Sequence, residues 1–113
     1  MGLPRIDENT TEAEIEEISA KATDAATFLK AISHEGRLMI LCHLVSGEKS
    51  VTELERLLSA RQAAVSQQLS RLRLEGLVVP RREGKAIYYS LADDRPRRII
   101  ELVYELFCKE DGS

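Results

Sequence analysis

The sequence predicts a mainly α-helical domain with one small β-hairpin, and three observations carry that class. Apolar residues recur at three- and four-residue steps over most of the chain. One basic stretch, VVPRREGKAIYYSLA, instead sets strand-forming residues around a glycine turn. Before it stand a short helix, a tight turn and a second helix, which with the hairpin make a helix-turn-helix with a wing. At 113 residues and 43% hydrophobic content the chain is one globular unit. That size allows one adequate core, and a second copy would bury more apolar surface.

Residues 1–10 read as a flexible arm and 11–110 as the folded domain. The first helix starts near Thr11, with Glu14 completing a capping box. Ile15, Ile18, Ala22, Ala25 and Leu29 form a seam suited to another helix. Ser33 is the expected cap of the second helix, whose Leu38, Met39, Ile40, Leu41, Leu44 and Val45 make it apolar nearly all round and therefore central. SGEKS ends it. A third helix covers about Val51 to Leu58, with Leu54, Leu57 and Leu58 inward, and a fourth covers about Gln62 to Leu74, closed at Gly76. Two strands around EGK form the wing. The fifth helix runs from about Pro96 to Lys109, with an apolar stripe of Ile99, Leu102, Val103 and Leu106.

The net charge of −3 hides an uneven distribution. Residues 1–24 hold seven acids against two bases, whereas residues 50–92 hold seven bases, Arg56, Arg61, Arg71, Arg73, Arg81, Arg82 and Lys85, against four acids. A local basic surface governs binding to a polyanion more than the overall sum. On the fourth helix Val65, Leu69 and Leu72 fall on one inward stripe. Ala63, Gln67, Ser70 and Arg71 then face outward, flanked by Gln62 and Ser66. Small residues allow close approach to a major groove, Gln pairs with adenine, and Arg reaches guanine or phosphate. Arg81, Arg82 and Lys85 on the hairpin suit backbone phosphates.

No run approaches the roughly 20 apolar residues of a membrane span, and the acidic N-terminus lacks the order of a signal peptide. The expected compartment is the cytoplasm, where thiols stay reduced and any disulfide is conditional. No Cys-x-x-Cys motif and no phosphate-cradling glycine loop marks an enzyme, so no catalytic residue is assigned. A thiol oxidoreductase and a winged helix that binds only protein are the rival classes. His34 and His43 lack a ligand cluster and read as helix-terminal or packing residues.

The stretch QAAVSQQLSRLRLEGLVVPRREGKAIYYSL resembles the signature region of the ArsR-type winged-helix repressors, and the resemblance extends from about Ala26 to Phe107. It implies a homodimer joined through the first and last helices, bound to an inverted-repeat operator in double-stranded DNA. Gln62, Ser66 and Gln67 would then address bases, while Gln68 stands where many members carry His. Glu55 and Leu57 occupy the places of that family's arsenic and cadmium ligands. Asp93, Arg95, Leu106 and Lys109 occupy those of its zinc ligands, so neither a metal nor another cofactor is expected.

The two cysteines, Cys42 and Cys108, occupy the places that a sulfide- and persulfide-responsive subgroup of that family uses. Cys42 shares a helix face with Leu38 and Val45, as an inert buried cysteine would, whereas Cys108 lies off the last helix's apolar stripe. The resemblance implies that a persulfide or polysulfide donor is the signal and that a di- or polysulfide bridge within one protomer releases DNA. A general oxidant sensor and a thiolate-metal sensor of the same fold are the alternatives.

Overall fold

A computed structural model describes residues 6–60 and 62–108, with the backbone alone of Gln62. Arg61 and Lys109 lie outside the described residues. The order is α1 (Glu12–Ile32), α2 (Glu35–Val45), β1 (Lys49–Ser50), α3 (Val51–Leu58), α4 (Gln62–Leu74), β2 (Val78–Glu83), β3 (Ala86–Leu91) and α5 (Asp94–Val103), followed by a π-helical turn (Tyr104–Cys108). This is a winged helix-turn-helix.

Before α1, within the span read as an arm, Asp7 and Thr10 close a hydrogen-bonded turn. Both halves of the capping box form: Thr11 Oγ1 accepts from the Glu14 N–H, and the Glu14 carboxylate accepts from the Thr11 N–H. Although α1 is 21 residues long, only Ala31 and Ile32 are buried. Its end corrects one expectation. Ser33 is the C-cap of α1, its N–H and its hydroxyl both donating back to the Lys30 carbonyl. His34 caps α2 instead, its Nδ1 accepting the Gly36 N–H at 3.0 Å.

The core forms where α2, α3, α4 and the sheet meet. Ile40, Leu41 and Leu44 of α2, Leu54 of α3, and Val65, Leu69 and Leu72 of α4 are all buried there. Each such leucine contributes about 1.5–3 kcal/mol of burial. Leu57, expected inward, is 48% exposed, because Leu54 and Leu58 already cover the core face of this two-turn helix. Helix α3 starts at a second capping box, Ser50 with Glu53. It ends on Ser59 in the left-handed region at φ 51°. Gly76, at φ 77°, closes α4, and Leu77 then donates to the Leu72 carbonyl.

The sheet has three antiparallel strands in the order β1-β3-β2, one more than expected. SGEKS ends α2 as read, but its last two residues also pair with the wing, Lys49 opposite Tyr89 and Ser50 opposite Tyr88. The hairpin itself runs in register from Val78↔Leu91 to Glu83↔Ala86, turning at Gly84. Helix α5, capped by Asp93, buries Pro96 and Ile100. The single fifth helix of the sequence reading is here an α-helix that widens into the π turn, which redirects Leu106 and Cys108 from their α-helical bearings.

The Cα radius of gyration is 17.3 Å, against about 13 Å for a compact chain of this length. The excess reflects a long α1 and a C-terminal segment whose apolar residues stay open: Ile15, Leu29, Leu102, Leu106 and Phe107 are all exposed. Two stability changes follow. Ser59→Gly relieves a left-handed serine and stabilises the fold by up to about 1 kcal/mol, whereas Leu69→Ala destabilises it by about 2–5 kcal/mol. Urea unfolding followed by circular dichroism measures both, and an unstable S59G variant would contradict the cap assignment.

Candidate nucleic-acid interface and thiol pair

The apolar stripe of α4 dictates what its other face can present. With Val65, Leu69 and Leu72 anchored in the core, Ala63, Gln67, Ser70 and Arg71 are exposed and Ser66 is half-buried. Gln62 opens the helix, but its side chain lies outside the described residues. Arg71 pairs loosely with Glu75 at 3.5 Å, one helical turn on. Among the described side chains the exposed strip runs Ala63, Gln67, Ser70 and Arg71, with small and amide-bearing residues ahead of a cation.

The three wing cations divide. Arg81 is held: its guanidinium donates to Glu48 at 2.7 Å and Glu83 at 2.9 Å and lies 4.8 Å from the centre of the Tyr88 ring. These hydrogen bonds push the Arg81 pKa up and hold the Glu48 carboxyl below its ordinary value. Arg81 thus braces the wing against the α2–α3 connection. Arg82 and Lys85 are exposed and have no ion pair among the described residues. Arg82 borders a hollow shared with Arg73 of α4, and Lys85 borders a cleft shared with Ser66 of α4 and Thr52 of α3. Thr52 escaped the sequence reading. The signal was available in Ser50-Val-Thr-Glu53, a capping box that fixes the start of α3 beside the reading helix.

The thiols lie on the other side of α2. Helix α5, which leads into the turn carrying Cys108, packs on α2: Arg97 donates to the Val45 carbonyl at the end of α2 at 2.8 Å, while Pro96 and Ile100 are buried. Cys42 and Cys108 are both free and exposed. Cys42 is therefore not the inert buried residue that its helix position suggested. Leu38 and Val45 on the same face are themselves only half-buried, which leaves that face at the edge of the core. Partial burial pushes the Cys42 thiol above its ordinary pKa, and the neighbouring Cys108 pushes it further. The two thiols, separated by 65 residues in the chain, are not joined and do not stand at disulfide distance, so a bridge between them is not preformed.

Among the described residues no group of three or more His, Cys, Asp or Glu side chains converges as a metal site. His34 is committed to its cap, and His43 is half-buried in the last turn of α2. No described helix is long and apolar enough to cross a membrane.

Residues 34–79 match the family described as "Bacterial regulatory protein, arsR family". Over 82% of this chain and 80% of the relative, the sequence is 47% identical to the biofilm growth-associated repressor of Agrobacterium fabrum. The structure of reduced HlyU from Vibrio cholerae, a protein named as a transcriptional activator, superposes with a TM-score of 0.79 at 39% identity, covering 83% of this chain and 99% of HlyU. The homodimeric winged helix-turn-helix DNA-binding domain of Mb0332 from Mycobacterium bovis superposes with a TM-score of 0.73 at 28% identity, covering 88% and 89%.

The thiol geometry has a direct readout. Alkylation of Cys42 by iodoacetamide speeds up as pH rises through its raised pKa, because only the thiolate attacks. Cys108→Ser moves that midpoint part of the way down, removing the neighbour but not the burial. A midpoint unmoved by C108S would show that the sulfurs do not sense each other.

Proposed function

The chain belongs to the ArsR family of bacterial regulatory proteins and is a DNA-binding transcriptional regulator; we propose that it is a cytoplasmic repressor that grips an inverted-repeat operator as a homodimer and lets go when Cys42 and Cys108 react with a persulfide or polysulfide. In this reading Gln62, Ser66, Gln67, Ser70 and Arg71 meet base edges and phosphates in the major groove. Arg82 and Lys85 meet the flanking backbone. Arg81 acts one step back, by bracing the wing. The dimer joins through α1 and the C-terminal helical segment. The open apolar residues on both, and the homodimeric state of the Mb0332 domain, support that seam.

The observation that carries the assigned signal is the exposure of both free thiols, one on α2 and one on the turn that continues α5, the helix bonded to α2 through Arg97. One thiolate attacks the outer sulfur of a donor RSSH, forming Cys–SSH and expelling RS⁻. The other thiolate attacks the inner sulfur of that persulfide and expels HS⁻, leaving a disulfide. If both cysteines are first persulfidated, attack of one persulfide anion on the other's inner sulfur expels HS⁻ and leaves a trisulfide. The donors supply the oxidising equivalents, and no further reagent enters. The longer bridge spans cysteines set too far apart for a direct disulfide, which needs Cα atoms within about 7 Å.

Joining α2 to the C-terminal segment fixes one tilt of each reading helix relative to the dimer seam. Two heads must meet half-sites about 34 Å apart. A mismatch worth about 1–3 kcal/mol weakens binding roughly 5- to 150-fold.

A duplex selected from a randomised pool by the reduced protein supplies the probe. Treatment with glutathione persulfide releases it, whereas Cys42→Ser and Cys108→Ser proteins bind as tightly as the unaltered one and stay bound after treatment. Mass spectrometry of the released protein finds sulfur-linked Cys42 and Cys108. Parallel treatment with peroxide or divalent metals tests the oxidant and metal readings, and release by either through unbridged thiols would replace the persulfide assignment. On the same probe, Lys85→Ala lowers the slope of log affinity against log salt by about one, while Arg81→Ala, already paired within the wing, changes it less.

A further inference from the structure

Apolar packing fixes which face of α4 is buried, but it is non-directional and tolerates small rotations and slides of the helix. A directional tie is needed to fix the aim of the reading face. Arg37, on α2, supplies one. Its Nε donates to the Ala31 carbonyl in the last turn of α1, and its Nη1 donates to Gln68 Oε1 on α4 at 3.2 Å. Both bonds are partly buried, which strengthens them relative to the exposed ion pairs of the wing. Gly36 leaves room beside the bond for the His34 ring that caps α2. A Cβ there would lie 3.8 Å from Gln68 Cγ and only 3.1 Å from the His34 ring.

We infer that Arg37 is a positioning residue for operator recognition, its forked guanidinium holding the reading helix at a fixed angle to α1 and so setting the distance between half-sites that the dimer accepts. The inference rests on the proposed DNA-binding homodimer, because α1 carries one side of the seam and α4 the reading face. Gln68 neighbours Gln67 in sequence but looks the other way, inward to Arg37, and serves the interface without touching DNA. Lysine cannot replace the arginine, since an ammonium gathers its three rotatable donors on one nitrogen at the end of a flexible stem, where the planar fork serves two separated acceptors in a set geometry.

The test uses the full chain and the selected duplex, with its centre lengthened or shortened by one base pair. Unaltered protein prefers its own spacing over either neighbour by about tenfold or more. Gln68→Met removes the acceptor while keeping an unbranched side chain, and Arg37→Lys removes the fork while keeping the charge. Both variants compress the preference to within about threefold, with the same salt slope and little change in thermal midpoint. Gln68→Glu retains the acceptor and keeps the preference. Uniform weakening on all three duplexes, or an unchanged spacing profile in Q68M, overturns the inference and leaves Arg37 a stabilising contact only. If unaltered protein binds no duplex in a salt-dependent way, the proposed function itself fails, and this inference fails with it.

Discussion

Helix α2 has to be covered on nearly every side, and the rest of the molecule is arranged around that need. Its eleven residues include Leu38, Met39, Ile40, Leu41, Leu44 and Val45, too many apolar groups for a surface helix. Helices α3 and α4 cover one flank, the sheet another, and α5 a third, burying Ile40, Leu41 and Leu44. Hydrogen bonds from arginines then fix the neighbours in register: Arg37 reaches out from α2 to α1 and α4, and Arg97 reaches in from α5 to the end of α2. What remains uncovered is the narrow strip that exposes Cys42. The thiol of the central helix is thus exposed next to the buried Leu41, on an element that packs against α1, α3, α4, α5 and β3.

Charge is handled in the same economical way. The protein is acidic overall, and its exposed ion pairs are local: Arg81 with Glu48 and Glu83, Arg95 with Asp93, Lys21 with Glu17. Such pairs contribute little stability in water. Their effect is to decide which cations stay available. Arg81 is taken up in bracing the wing, and Arg82 and Lys85 beside it have no ion pair among the described residues. Net charge therefore says little about what this surface binds.

Much of the fold was legible because its signals are local. The bounds of α3 and α4, the inward trio Val65, Leu69 and Leu72, the Thr11 capping box and the Gly76 stop all depend on residues within a few positions of one another. The misses share the opposite property. Pairing of Lys49 and Ser50 with Tyr89 and Tyr88 spans about forty positions and involves two residues, too few for a strand pattern. The Glu48–Arg81 bond spans 33, so nothing near Arg81 in the text discloses it. An α-helical period extended past Val103 gives no sign that the turn there widens. Cys42 was located in the right element but given the wrong environment, since periodicity assigns a face and cannot tell how far the neighbours extend over it. The candidate site was half legible for the same reason: the reading face follows from its own helix, whereas Arg37, Thr52 and the pairing of Arg81 follow only from three dimensions.

The two-residue strand β1 has a mechanical consequence. It hangs directly from the end of α2 and is stitched into the wing through Tyr88 and Tyr89, with the Glu48–Arg81 clasp beside it. Arg37 ties the beginning of the same helix to α4. Helix α2 is therefore tied towards both projections, the helix at one end and the hairpin at the other. The two projections thus share one mount rather than two separate hinges.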